Sequence, residues 1–173
     1  MISIIKDKKF YQEVLIKTII LIIFFYFFRS LVFSSKLKIV ALIFPNMNSL
    51  FSLYKFFFLA VTLLVILEYL IQFELPANFL LSRVIGLTVM FMVSSVLFGA
   101  YYVSFGSRIR TAFLLLTTVI SILFGQVISY RVQRKRNFRW SYSLGFFNYF
   151  LITALLMGAT LLNPNGLLFS ETL

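Results

Sequence analysis

The stretch that decides the fold is residues 111–128, TAFLLLTTVISILFGQVI, in which 18 consecutive positions hold no charged side chain. At a rise of about 1.5 Å per residue, a helix of this length comes close to crossing a hydrocarbon core about 30 Å thick. A similar run covers residues 51–71, where the charged side chains are Lys55 and Glu68. Runs of this length and composition indicate an integral membrane protein.

Further runs of the same kind fill most of the chain. Hydrophobic residues make up 61% of its 173 residues, well above the roughly 45–50% of soluble domains. The three prolines fall between or after the runs, where a missing backbone donor does no harm. We therefore predict an all-α integral membrane protein, a bundle of five transmembrane helices with short loops, in one domain covering residues 1–173. The predicted spans are residues 14–33, 50–72, 79–103, 111–130 and 141–162.

The residue types that the sequence lacks limit the catalytic and metal-binding groups that the protein can supply. The chain has no cysteine and no histidine, so it has no thiolate ligand or nucleophile and lacks the usual proton shuttle near neutral pH. Its five acidic residues are spread along the chain, which argues against a paired-carboxylate catalyst. No Walker loop, nucleophile elbow or zinc-protease motif occurs. We expect no catalytic residues, no cofactor and no bound metal ion.

The net charge of +11 comes from basic residues that cluster in the loops between the apolar spans. This pattern is typical of topology signals and of contact with anionic headgroups, so we expect membrane lipids rather than nucleic acid as partners. The strongest run lies in residues 131–140. It is either a membrane anchor or a docking surface for a phosphate-bearing lipid or a cytoplasmic protein. Its basic residues are Arg131, Arg134, Lys135, Arg136 and Arg139.

The loop charges also predict an orientation in the cell membrane. Eight basic residues flank the spans on one side and four flank them on the other, which favours a cytoplasmic N-terminus and an outside C-terminus. The prediction requires that the connector of residues 34–49 does not cross. Its apolar centre, residues 39–44, is too short to do so, and it either lies at the interface or dips into the membrane. The larger group is Lys6, Lys8, Lys9, Arg131, Arg134, Lys135, Arg136 and Arg139, and the smaller is Lys36, Lys38, Arg108 and Arg110.

Charged side chains inside the spans are costly, so their positions are informative. Glu68 and Arg83 lie eight residues before and seven residues after the proline of the tight turn. In two antiparallel helices they reach nearly the same depth, which predicts an ion pair. Gln72 shares a face with Glu68. The pair either neutralises two shallow charges or belongs to a candidate polar site made of Glu68, Gln72, Arg83 and Asn148. Lys17, near the start of the first span, is predicted to be an interfacial anchor.

Small residues at four-residue spacing predict where helices touch, because small side chains let two backbones approach closely in lipid. This ladder favours packing inside the bundle over a face for a partner. Gln126 and Asn148 are expected to add hydrogen bonds between helices. The small residues are Ser121, Gly125 and Ser129 in the fourth span, Ser95 and Gly99 in the third, and Ala154 and Gly158 in the fifth.

Three stretches resemble a family of small, uncharacterised bacterial multi-pass membrane proteins. They are residues 49–69 with the proline turn that follows, residues 79–107 with the motif FGAYY at 98–102, and the segment LNPNGLLF at 162–169. The second span of that family opens with polar residues, where this chain has Phe51, Ser52 and Leu53. The resemblance implies a bacterial source and a multi-pass topology, and it adds no mechanism.

Three functions fit this pattern. The first is a non-catalytic accessory or scaffolding subunit of a larger membrane assembly, with other membrane proteins as partners. The alternative is a small transporter or substrate-binding subunit with its polar site between the second and third spans. A lipid-modifying enzyme is the third, and the scarcity of acids, histidine and cysteine argues against it.

Overall fold

A computed structural model describes residues 8–34, 50–71, 75–106, 111–135 and 140–162. Every regular element in these residues is a helix, and all five helices are long and apolar enough to cross a membrane. The prediction of an all-α membrane protein with five spans is therefore confirmed. The helices are α1 (Lys8–Ser34), α2 (Leu50–Ile71), α3 (Phe79–Phe105), α4 (Thr111–Gln133) and α5 (Ser141–Leu162).

Consecutive helices run in opposite directions. Near one end of the bundle Lys17 of α1 pairs with Glu68 of α2, while towards the other end the rings of Phe25 and Phe56 lie 4.8 Å apart. Because these two helices are antiparallel, α1 ends and α2 begins at the same end. We call the opposite end, where α1, α3 and α5 begin and α2 and α4 end, the basic end. Residues 35–49, which make up the connector that was predicted to lie at the interface or to dip into the membrane, are outside the described residues.

Helices α1 to α4 form a closed ring in which each helix packs against two neighbours. Aromatic and aliphatic side chains fill its centre. Close packing of these side chains is favourable, because a void would remove their van der Waals contacts. Among the fully buried side chains are Leu21, Phe25, Leu53, Phe56, Phe57, Leu64, Leu87, Met90 and Ile122.

The tightest contact in the ring is between α3 and α4, where glycines face each other. A Cβ atom on Gly86 would lie 2.9 Å from the carbonyl oxygen of Gly125, and one on Gly125 would lie 2.7 Å from that of Gly86. The backbones can approach this closely because neither residue has a side chain. Gly106 ends α3 with a positive φ of 77°, and its N–H donates to the carbonyl oxygen of Tyr102 at 3.0 Å.

Helix α5 lies outside the ring, against α3 and one side of α2. Gly145 brings it close to α3, since a Cβ there would lie 2.6 Å from the backbone nitrogen of Leu81. Tyr149 packs its ring against Phe58 and shares a hydrogen bond with Thr62. Of the residues in its apolar span, 6% are buried, against 28–44% in the other four helices. Most of α5 is therefore available to lipid or to another protein.

Candidate functional site

The predicted ion pair between Glu68 and Arg83 is present. The Arg83 Nη2 atom donates to Glu68 Oε1 at 2.6 Å. The short turn between α2 and α3 sets this geometry: the N–H of Phe79 donates to the carbonyl oxygen of Pro76 at 2.8 Å, and α3 starts there. Glu68 lies one turn before the end of α2 and Arg83 one turn after the start of α3, so the two side chains meet across the hairpin.

A second cation, Lys17 of α1, binds the same carboxylate oxygen. Its Nζ atom lies 2.9 Å from Glu68 Oε1 and 3.9 Å from Glu13 Oε2 in its own helix. The prediction of an interfacial anchor was incomplete, because Lys17 faces the bundle rather than reaching out of it. Its spacing from Val14 and Leu21, which are buried on the same face of α1, was the signal in the sequence.

Helix α4 supplies two further hydrogen-bond partners of Arg83. The Nη1 atom donates to Ser129 Oγ at 3.0 Å and to Gln126 Oε1 at 3.4 Å. The guanidinium group also lies 5.3 Å from the centre of the Phe79 ring, within range of a cation–π contact. The interhelical hydrogen bond predicted for Gln126 is thus found, and Ser129 contributes a bond as well as a small side chain. We call Glu13, Lys17, Glu68 and Arg83, with Gln126 and Ser129, the charge cluster.

The charge cluster is neutral in sum and closed to solvent at its centre. Arg83 is 2% exposed and Glu68 is 7% exposed, so these two side chains do not reach to the interface as shallow charges usually do. Two cations are balanced by two carboxylates, one of which, Glu13, lies at the partly exposed rim. Paired charges in a low dielectric hold each other strongly, whereas an unpaired one would be very costly. The cluster therefore joins α1, α2, α3 and α4.

Two polar atoms inside the cluster have no hydrogen-bond partner among the described residues. They are Glu68 Oε2, an acceptor, and Arg83 Nε, a donor. Each belongs to a group whose other polar atoms contact neighbouring helices. A buried donor and a buried acceptor in adjacent groups could be satisfied together by one small polar molecule.

Asn148, another member of the predicted polar site, lies elsewhere. Gln72 is outside the described residues. Asn148 donates its side-chain N–H to the carbonyl oxygen of Leu144 in its own helix at 2.8 Å, and no described hydrogen bond joins it to Glu68 or Arg83. The expected interhelical bond of Asn148 is therefore not found. The physical reason is that α5 lies outside the ring that encloses the cluster.

The predicted packing residues divide by helix. In α4, Ser121, Gly125 and Ser129 are all buried, and Gly125 and Ser129 face Gly86 of α3. Ser95 of α3 shares a hydrogen bond with Tyr54 of α2.

The close packing expected of Gly99, Ala154 and Gly158 is not found. Ala154 and Gly99 are exposed, and no atom of the described residues lies within 4 Å of a Cβ built on Gly99 or Gly158. Four-residue spacing occurs on all three helices, but the spacing alone does not specify which face meets a neighbour.

The basic run lies at the basic end, where loops from two hairpins meet. Arg131, Arg134 and Lys135 are exposed, and Arg134 lies 4.7 Å from the centre of the Tyr130 ring. Asn78 donates its side-chain N–H to the carbonyl oxygen of Lys135 at 2.9 Å, which joins the α2–α3 turn to the end of α4. Arg136 and Arg139 lie outside the described residues. The Asn78 contact therefore joins this segment to the α2–α3 turn while its described cations are exposed.

No protein-family model, no curated protein and no solved structure matches this chain. The resemblance to small bacterial membrane proteins therefore has no matching family model behind it, and function has to be argued from the residues themselves.

Proposed function

We propose that this protein is a non-catalytic accessory or scaffolding subunit of a larger membrane assembly. The observation that carries the proposal is the charge cluster, in which the buried Glu68 and Arg83 bind each other, Lys17 and two polar residues of α4. These groups bind one another, and together they hold four helices in a fixed arrangement. A rigid ring of this kind suits a protein that presents surfaces to partners.

Helix α5 is the surface that we assign to a partner subunit. It is attached to the ring along one side, and its outer face carries exposed aromatic side chains. Large aromatic residues supply much contact area at low conformational cost. These exposed residues include Phe146, Phe147 and Phe150.

Affinity purification from the native host in a mild detergent tests the proposal. We expect a membrane protein to co-purify with the tagged chain at a fixed stoichiometry. The variant Phe147→Ala/Phe150→Ala should lose that partner, while the matched variant Ile19→Ala/Ile23→Ala, on the exposed face of α1, should keep it. Recovery of the chain as a free monomer would disprove the subunit role, and equal loss in both variants would disprove the assignment to α5.

We also propose that the basic end faces the cytoplasm of a cell whose membrane holds the protein, with the N-terminus inside and the C-terminus outside. The support is the excess of basic residues there, since such residues are retained on the cytoplasmic side. The chain has no cysteine, so single cysteines can report on each side. A cysteine at Lys135 should resist an impermeant thiol reagent in intact cells, and one at Gly106 should react. The reverse pattern would invert the topology.

A small transporter or substrate-binding subunit is the second candidate. The observation that favours it is the pair of buried atoms Glu68 Oε2 and Arg83 Nε, which have no partner among the described residues. A small ligand with a donor beside an acceptor would satisfy both. Uptake measurements in vesicles that contain the purified protein test this function. Substrate accumulation by the parent protein would favour it over the scaffolding role, and its absence would argue against it.

A further inference from the structure

A stripe of apolar side chains on α4 runs along the outside of the bundle and ends in two cations. Leu116, Ile120, Phe124 and Ile128 follow at four-residue intervals, which places them on one face of the helix. Leu116 and Phe124 are 56% and 57% exposed, and the two isoleucines are half-buried. Arg131 follows Ile128 by three residues and continues the same face.

The length of the stripe matches one leaflet of a bilayer. From Leu116 to Ile128 the helix rises about 18 Å at 1.5 Å per residue, slightly more than half of a hydrocarbon core about 30 Å thick. Arg131 then lies at the level where headgroups begin. Lys135 lies about one turn further on, where the N–H groups of Arg134 and Lys135 donate to the carbonyl oxygens of Tyr130 and Val132 and extend the helical turn.

The charge of these two residues is not balanced within the protein. Arg131 and Lys135 are exposed, and among the described residues neither has a carboxylate partner. The two described carboxylates at the basic end, Glu13 and Glu68, are already engaged in the charge cluster. The helix dipole attracts cations to a helix C-terminus. This attraction explains why cations occur there, but it does not explain why two of them lie in line with an exposed apolar stripe.

We propose that this surface binds an anionic phospholipid, with its acyl chain along Leu116, Ile120 and Phe124 and its phosphate at Arg131 and Lys135. The complementarity has two parts. The stripe supplies apolar contact of the length of an acyl chain, and the cations supply the charge that an anionic headgroup needs. A free phosphate would contact the cations alone and would leave the apolar stripe unused, so the structure assigns the site to a lipid. The proposal is independent of the subunit role proposed above.

Native mass spectrometry of the purified full chain in detergent tests the site. Phosphatidylglycerol and phosphatidylcholine are added at equal concentrations, and the lipid retained per protein is counted. Each cation near an anionic lipid is worth about 1 kcal/mol, or about fivefold in affinity. We therefore expect retention of phosphatidylglycerol to weaken about 25-fold in Arg131→Gln/Lys135→Gln and to recover in the charge-keeping variant Arg131→Lys/Lys135→Arg. Binding of phosphatidylcholine should not change.

Two controls make the result decisive. Lys55→Gln removes a cation at the opposite end of the bundle and should retain phosphatidylglycerol as the parent does. Inorganic phosphate at the same concentration should not displace the lipid. If the double variant does not keep its helical circular dichroism, Arg131→Gln alone carries the test, with a fivefold loss expected. Equal retention by parent and variant, equal loss in Lys55→Gln, or displacement by inorganic phosphate would overturn the proposal.

Discussion

Helices α4 and α5 are almost equally long, yet their surroundings differ. In α4, 44% of the residues of the apolar span are buried, and in α5 only 6% are. The buried face of α4 carries small and polar residues, among them Ser121, Gly125, Gln126 and Ser129. Along α5 the close contact with α3 is made at Gly145, while the outer face is aromatic. In lipid, a helix face is buried where its small and polar residues find partners on a neighbouring helix. Apolar side chains alone do not drive this burial, because acyl chains solvate them as well as the protein interior does.

The largest expected effect comes from removing the carboxylate on which two cations converge. Glu68→Gln leaves the buried Arg83 without its counter-charge and leaves Lys17 with only the more distant Glu13, which should lower the free energy of unfolding by about 3–5 kcal/mol. Loss of helical circular dichroism during titration of the micelles with SDS measures this. Glu13→Gln is the matched control, because Glu13 is partly exposed and lies 3.9 Å from Lys17, and it should cost less than about 1 kcal/mol. Equal effects would show that the cluster does not hold the ring together.

A smaller effect is expected where α3 and α4 touch. In Gly125→Ala the new Cβ would lie 2.5 Å from Met90 Cγ and 2.7 Å from the carbonyl oxygen of Gly86, so the helices must move apart. Overpacking of this kind costs about 1–3 kcal/mol. The same SDS titration compares it with Gly158→Ala on α5, where none of the described residues has an atom within 4 Å of the new Cβ. A loss in Gly158→Ala as large as in Gly125→Ala would contradict the contrast between the two helices.

The attachment of α5 should respond to a change that leaves the ring intact. In Gly145→Ala the Cβ would lie 2.6 Å from the Leu81 backbone nitrogen, which should separate α5 from α3. A cysteine placed at Ser141, which is 1% exposed in the parent, reports on this separation. Its reaction with a permeant thiol reagent should accelerate severalfold in Gly145→Ala, while a cysteine at the exposed Leu144 should react at an unchanged rate. Unaltered protection at Ser141 would show that Gly145 does not control the attachment.

The smallest effects are expected at the side-chain amides of Gln126 and Asn148, for which the sequence predicts the same kind of hydrogen bond between helices. Gln126→Leu removes an acceptor of Arg83 and should cost about 0.6–1.7 kcal/mol, the range of hydrogen bonds between membrane helices. Asn148→Leu removes a bond within α5 and should change stability by less than about 0.5 kcal/mol. Unfolding in SDS measures both. A larger loss in Asn148→Leu would place that side chain in a contact between helices.

The candidate site was predictable where its residues are near in sequence. Glu68 and Arg83 flank one turn, and a hairpin of two antiparallel helices brings them to the same depth. Lys17 and Ser129 come from helices far along the chain, and no local pattern states that α1 and α4 meet at that carboxylate. The four-residue ladders were equally ambiguous, because the same spacing at Gly125 and at Gly158 leads to a close contact in one helix and to open space in the other.

The sequence by itself determined the membrane as solvent and the number of spans, because these depend on the length of apolar runs and on the positions of prolines and charges. The antiparallel hairpin with its ion pair followed from the same information. Which helices form the ring, which one lies outside it, and which cations share Glu68 were decided by the tertiary structure alone. The reason is that apolar faces are interchangeable in lipid, so the few polar and small residues determine the packing, and their partners are known only once the helices have met.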